Sequence, residues 1–282
     1  MIMRGLSDVA AVLAKEGRIG MGTTVAEIKL RLQEADIQEF AVLERSLVAD
    51  VRKGVRDAVE VARRRLEAEQ AERERLASLY EYERALAAGR GNGVIVGLDE
   101  VGRGPLAGPL AVGAVVLPFD SRIEGLNDSK QVKPEMREHI AEVVKRVAVA
   151  WTVEYIEPSD IDAAGMTASL LMAFRRAVTN IEQAGVKPDV VLLDGNPLHL
   201  DAREVNVIKG DARCASIAAA SIVAKVERDA LMCRYAQQYP AYGFDSCKGY
   251  ASAAHIEAIK RFGLTPIHRA SFCTAFTQPT LF

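Results

Sequence analysis

An apolar run at residues 94–98 ends in two adjacent carboxylates, Asp99 and Glu100, and a second apolar run follows at 110–117. Between them stand Gly102, Gly104 and Gly108 with Pro105 and Pro109. A connection this short and this rich in helix breakers leaves little room for a crossover helix, so the two runs are expected to pair as an antiparallel hairpin. Further strands are predicted over 147–156, 190–193 and 204–208, alternating with helices over 134–146, 167–184, 215–238 and 253–262. Alternation of this kind implies an α/β fold around one central sheet. With a hairpin at its start, that five-stranded sheet is expected to be mixed and flanked by helices.

Before residue 90 the chain reads differently. Apolar residues recur at helical spacing amid dense charge, as in Thr24-Val25-Ala26-Glu27-Ile28-Lys29-Leu30-Arg31-Leu32, and 45–86 holds one glycine and no proline. Arg63-Arg64-Arg65 is followed by Glu67, Glu69, Glu72 and Glu74, the pattern of a solvated helix face. Ala88-Gly89-Arg90-Gly91-Asn92-Gly93 reads as a hinge. The expected organisation is a mostly helical N-terminal extension, 1–90, with a substrate-binding or stabilising role, and a second domain, 91–282, that includes a helical C-terminal part.

Charge and cysteine usage narrow the class. The net charge of −2 excludes a strongly basic protein, yet 247–272 carries Lys248, Lys260, Arg261, Arg269 and two histidines against the single acid Glu257. A local basic face is compatible with a polyanionic partner. Cys214, Cys233, Cys247 and Cys273 form no C-x-x-C pair, which argues against a structural zinc site or redox motif and for reduced thiols in the cytoplasm. Asp8, Lys15 and Glu16 interrupt any apolar leader, and no membrane span is expected.

The carboxylates carry the chemistry. Asp99 and Glu100 end one predicted strand, Asp194 ends another, and Asp211 follows a third just before a long helix. Taken singly, an aspartate before a helix is an N-cap and Asp-Gly after a strand is a turn. Beside a glycine-rich loop they suggest metal-assisted phosphate chemistry, because bare carboxylates repel a phosphate unless a divalent cation lies between. Phosphodiester hydrolysis needs a water in line with the leaving oxygen and stabilisation of charge on both, which two Mg²⁺ or Mn²⁺ ions roughly 3.5–4 Å apart provide. Hard cations of this kind take oxygen ligands. There is no G-x-S-x-G elbow, Walker A lysine motif or H-E-x-x-H, and Gly102-Arg103-Gly104 followed by Gly108 misses G-x-G-x-x-G. A nucleotide-phosphate cradle remains the rival reading of the loop.

The run from Gly97 to Pro109 resembles the signature of bacterial ribonuclease HII. The similarity continues through Leu126-Asn127-Asp128-Ser129-Lys130, Leu193-Asp194-Gly195-Asn196 and Lys209-Gly210-Asp211, then the stretch from Ser216 to Asp229, Lys248-Gly249-Tyr250 and the stretch from Pro266 to Phe272. These blocks stand in family order over roughly 94–272. The resemblance implies a ribonuclease H-like fold, cleavage of RNA in RNA–DNA hybrids, and incision 5′ of single ribonucleotides in duplex DNA with 3′-hydroxyl and 5′-phosphate ends. It implies that Asp99, Glu100, Asp194 and Asp211 are the catalytic, metal-binding carboxylates, Asp99 and Asp194 central to the pair.

It further implies that Gly102-Arg103-Gly104 reads the 2′-hydroxyl, the group that tells RNA from DNA. Tyr250 would pack on the sugar of the next, deoxy nucleotide, and Lys130, Lys225 and Lys248 would hold phosphates or pair with the acids. His268 is expected to make structural hydrogen bonds, and Ala218-Ala219-Ala220 to let its helix approach the sheet. Ala251 and Cys247 depart from the family pattern. Some members carry a similar extension, with Tyr-Glu-Arg before the core, here Tyr82-Glu83-Arg84. The implied protein is a cytoplasmic monomer acting on hybrids and ribonucleotide-containing duplexes. Alternatives are a ribonuclease HIII-like or other two-metal nuclease, a small-molecule nucleotide hydrolase, and a non-catalytic hybrid-binding protein; the Gly-Arg-Gly triplet separates the chain from type HIII.

Overall fold

The computed structural model describes residues 23–200 and 202–277. The sequence reading of Asp8, Lys15 and Glu16 therefore lies outside the described residues. The chain divides into two compact units between Arg75 and Leu76, within one long helix.

The first unit holds α1 (Val25–Glu34), α2 (Ile37–Leu47) and the first part of α3 (Lys53–Ala87). Capping boxes start α1 and α2: Thr24 with Glu27, and Asp36 with Glu39. Ile28, Leu32, Phe40, Leu43, Leu47, Val55 and Leu66 form its apolar core. The arginine triplet is spent on this unit. Arg63 pairs with Glu44 and Glu60, Arg64 with Glu60, and Arg65 with Glu69 while also donating to the Ala35 carbonyl that ends α1. The predicted continuous helical stretch is broken between Leu47 and Lys53, where Asp50 and Arg52 pair at 2.6 Å.

In the second unit five strands stand in the order β3-β2-β1-β4-β5. They are β1 (Ile95–Val101), β2 (Leu110–Val116), β3 (Ala150–Ile156), β4 (Val190–Asp194) and β5 (Glu204–Val207). The first three are antiparallel neighbours, whereas β4 runs parallel to β1 and to β5, so the sheet is mixed as expected. Between these strands come α4 (Pro134–Val147), α5 (Pro158–Ala164) and α6 (Met166–Gln183), and after them α7 (Ala215–Gln238), α8 (Phe244–Cys247), α9 (Ala253–Phe262) and α10 (Ala270–Thr277). The third strand begins at Ala150, later than predicted, because Val147 completes α4. α5, α8 and α10 were not anticipated; at eight residues or fewer, they give no readable period.

Both faces of the sheet are covered. Val96, Leu98, Val112 and Ala114 meet Leu170, Ala173, Phe174 and Ala177 of α6 on one face. On the other, α7 approaches so closely that a Cβ on Gly97 would lie 2.3 Å from Ser216, and one on Gly113 would lie 2.4 Å from the Ala220 carbonyl oxygen. The residues met there include Ser216, Ala220 and Ala224, spaced one helical turn apart, with Ala218 and Ala219 also fully buried. The helix has no side-chain cap of its own at Cys214. Glu83, near the end of α3 and 2% exposed, supplies one from outside: its Oε1 accepts from the Ser216 N–H at 2.7 Å and from the Ser216 hydroxyl. Burial pushes this carboxyl up to about 7, with the two Ser216 bonds pulling the other way.

Gly113→Ala should cost about 1–3 kcal/mol, because the new methyl meets backbone that cannot rotate away. Urea unfolding monitors this directly, and an unchanged midpoint would mean that α7 stands farther from the sheet.

Candidate active site

Alternation along β1 sends its two carboxylates to opposite faces. Asp99 shares the face of Ile95 and Gly97, under α7, while Glu100 shares that of Val96 and Leu98. In the parallel β1–β4 pair Leu98 is opposite Leu193, so the next residues, Asp99 and Asp194, come to the same sheet end. The Asp194 Oδ1 accepts from the Gly210 N–H at 2.6 Å, which ties β4 to the 3₁₀ turn Gly210–Ala212 carrying Asp211. Lys209, in the left-handed region at φ 56°, makes the preceding turn.

The field at this end is strongly acidic. Burial pushes Asp99 up to about 8, aided by the nearby charges of Glu100 and Asp194 and opposed by Ser221. Burial also raises Glu100, against the pull of Arg103, whose Nη1 lies 3.3 Å from Oε1. Asp211 is raised by burial and then by Asp194 and Asp128. Lys130 Nζ lies 3.9 Å from Asp211 and 4.0 Å from Asp128, on an 80% exposed side chain that lends little screening. Among the described residues no three His, Cys, Asp or Glu side chains are drawn together closely enough to hold a metal ion as they stand. The donor chemistry nonetheless fits a hard divalent cation: carboxylate oxygens from β1, β4 and the turn before α7 are of the kind such ions take, and a cation there would relieve their mutual repulsion.

Beyond Glu100 the glycine-rich loop meets the Lys248-Gly249-Tyr250 segment. Leu106 and Ala107 donate to the Gly249 carbonyl, and a Cβ on Gly104 would stand 4.0 Å from the Tyr250 ring, itself 45% exposed. Gly249 is at φ 86°, and any Cβ there would collide with the Ala107 carbonyl oxygen at 2.2 Å. Two predicted lysines are otherwise engaged. Lys225 pairs with Asp229 one turn along α7 at 2.8 Å, and Lys248 donates to the Asp245 carbonyl and the Cys233 sulfur.

The sequence reading passes over Arg228 within the stretch from Ser216 to Asp229 and counts Arg269 toward a local basic face, from which its full burial removes it. Both are fully buried and hold this loop pair from beneath. Arg228 was detectable from spacing, since it lies one turn from Ala224 and from Met232 on the buried face of α7. His268 is buried and structural, as expected, and it has a partner that was missed. Thr265 N–H donates to His268 Nδ1 at 2.9 Å, so His268 Nε2 carries the hydrogen toward His255 Nε2 at 3.1 Å, and His255 Nδ1 donates to the Tyr250 carbonyl at 2.8 Å.

The fold is that of the ribonuclease H enzymes. The structure is similar to ribonuclease H2 from Pyrococcus horikoshii, with a TM-score of 0.55 and 27% identity over 66% of this chain and 100% of that one. It is similar also to the ribonuclease HII of Archaeoglobus fulgidus solved with PCNA, with a TM-score of 0.56 and 25% identity over 66% and 98%. A Bst ribonuclease HIII solved with Mn²⁺ shares the fold at a TM-score of 0.55 and 20% identity, over 66% of this chain and 68% of that one.

Sequence relatives are nearer. The ribonuclease HII of Clostridium acetobutylicum is 39% identical over 252 residues, 87% of this chain and 96% of that protein. That of Listeria monocytogenes is 40% identical over 252 residues, 89% and 95%. The ribonuclease HII model matches residues 96–275, and the model of the ribonuclease HII N-terminal domain matches 24–87. The chain belongs to the ribonuclease HII family, and is thereby a ribonuclease H-type endonuclease, a hydrolase acting on RNA in hybrids.

The histidine chain gives a pH test. Burial, then His255, pulls His268 down to about 4, against a backbone bond from Thr265. An unfolded histidine takes its proton near pH 6.5, so between these values the unfolded state binds more protons and stability rises with pH. The melting temperature should therefore fall as pH is lowered from 6.5 toward 4, and fall less steeply in His268→Gln; parallel slopes would separate His268 from acid unfolding.

Proposed function

We propose that this enzyme cleaves the RNA strand of RNA–DNA hybrids and also incises on the 5′ side of single ribonucleotides embedded in duplex DNA, leaving 3′-hydroxyl and 5′-phosphate ends. The supporting observation is the convergence of Asp99, Asp194 and Asp211 at one sheet end, beside a loop whose exposed Arg103 and Gly104 leave room for a sugar. Asp99, Glu100, Asp194 and Asp211 would hold the Mg²⁺ or Mn²⁺ ions, with Asp99 and Asp194 central. Two such ions, when bound, stabilise the negative charge on the attacking and leaving oxygens of an in-line displacement.

The protein's own residues position the substrate. Gly102-Arg103-Gly104 reads the 2′-hydroxyl; the missing Cβ of the exposed Gly104 leaves the approach open, whereas glycine at 102 clears Arg228 beneath the loop. Tyr250 packs on the following deoxyribose and so selects an RNA-to-DNA junction. Lys130, Lys225 and Lys248 hold backbone phosphates; Lys225 and Lys248 must first release the partners described above. The chemistry is housed in 91–282, with 1–90 as an extension that steadies substrate or fold. The enzyme works as a monomer in the cytoplasm. Among the described residues no helix is long and apolar enough to cross a membrane.

Asp99→Asn should lower kcat by about a thousandfold, the equivalent of roughly 4 kcal/mol, while duplex binding and melting temperature stay close to wild type. The assay is cleavage of a duplex carrying one ribonucleotide in Mg²⁺ or Mn²⁺, resolved at single-nucleotide length, and retained turnover would remove Asp99 from the metal site. Tyr250→Ala should weaken junction cleavage about tenfold, the loss of ~1.4 kcal/mol of packing, with a smaller effect on continuous hybrid. Equal losses on both substrates would show that Tyr250 does not select the junction.

A further inference from the structure

Arg269 sits beneath the glycine-rich loop, fully buried, with its guanidinium over the Phe272 ring and its N–H groups given to backbone oxygens. Nη2 donates to the Gly102 carbonyl at 2.6 Å and to the Gly108 carbonyl at 2.8 Å, Nε to Gly108 at 3.0 Å and Nη1 to Arg103 at 2.9 Å. Arg228 continues the pattern, donating to the carbonyls of Pro109 at 2.9 Å, Lys248 at 3.0 Å and Ala107 at 3.2 Å. Two buried cations thus draw the carbonyls of Gly102, Arg103, Ala107, Gly108 and Pro109 inward.

A trans peptide is planar, and its N–H points opposite to its carbonyl; no peptide described here is cis. Each carbonyl pulled inward therefore turns the next residue's N–H outward. The Gly108 N–H is taken by the Ile267 carbonyl at 2.8 Å, and Pro109 has none. The backbone N–H groups of Arg103 and Gly104 follow two of the three carbonyls that Arg269 holds, both residues are exposed, and neither of these backbone N–H groups donates within the described chain. Gly102, at φ 93°, permits the arrangement, since a Cβ there would lie 2.4 Å from the Arg228 Nε.

We infer that Arg269 is a specificity-determining positioning residue: by fixing the Gly102 and Arg103 carbonyls it aims two adjacent backbone N–H groups at the sugar hydroxyl, and so sets how strictly ribose is distinguished from deoxyribose. This rests on the reading of Gly102-Arg103-Gly104 as the ribose-contacting loop. Arg269 touches no substrate itself. Lysine would keep the charge but lose the fork that grips three carbonyls at once.

The test compares full-length wild type with R269Q and R269K on two duplexes alike except at one sugar, ribose in one and 2′-fluoro-deoxyribose in the other, whose fluorine is a poor acceptor. A mere folding or metal-site defect lowers both rates together, whereas loss of the aimed N–H groups lowers only the ribose rate. R269Q should reduce the ratio of ribose to 2′-fluoro kcat/KM about tenfold, as expected for one or two hydrogen bonds, with R269K intermediate.

Proportional losses on both duplexes, or an unchanged ratio, would overturn the inference. If wild type itself fails to prefer ribose, the reading of the loop falls instead. Should R269Q not fold, amide hydrogen exchange of wild type in EDTA decides. Protection of Arg103 and Gly104 by the ribose duplex but not the 2′-fluoro duplex supports the role, and equal or absent protection overturns it.

Discussion

The near-contact of α7 with the backbone of β1 and β2 is the constraint on which the site depends. Glycine at 97 and 113 faces the helix, and Ser216, Ala220 and Ala224 face back, so helix and sheet meet with only small side chains between them. That approach places Ser221 beside Asp99 and fixes the start of the helix immediately after the turn that carries Asp211. About two turns past Ser221, the same helix delivers Arg228 under the loop. A helix held off the sheet by one methyl group would displace all three at once.

Charge is arranged in depth rather than over the surface. The chain is slightly acidic overall, and its acids gather at one sheet end where burial and mutual repulsion raise the carboxyls of Asp99, Glu100 and Asp211. Arg103 pulls back on Glu100 and Lys130 on Asp211, while Arg228 and Arg269 lie buried beneath the neighbouring loop. Burial lowers both, Arg269 to about 10, which leaves the Arg269 guanidinium charged at neutral pH. A polyanion approaching such a site meets local positive ends of peptide dipoles, for which a basic surface is no substitute.

Much of this was readable in the chain because its physics is local. Strand, glycine-rich loop and strand dictate a hairpin, and Asp99, Glu100 and Asp194 stand within three residues of strand ends because the strands themselves are apolar runs. The boundaries of α7 and α9 follow from long helical periods. Less accessible was anything set by distant partners. The roles of Arg228 and Arg269 depend on carbonyls more than a hundred residues away, apart from the Lys248 contact, and that of His255 on a ring thirteen residues on. The extension's helices were legible, but the interruption between Leu47 and Lys53 contains neither glycine nor proline to announce it.

The carboxyl of Glu83 reaches the start of α7 across a sequence separation of 133 residues. Closing a loop of that length costs roughly 4 kcal/mol of chain entropy, which must be met before the contact returns anything. During synthesis the acid emerges long before its serine, so the helix beside Asp211 cannot be terminated properly until most of the polypeptide exists. The start of α7 is therefore tied to a highly non-local closure, a topology that makes its completion slow relative to helix formation. A polypeptide begun at residue 91 would be spared that wait, and would start each folding attempt with the serine's amide looking for another acceptor.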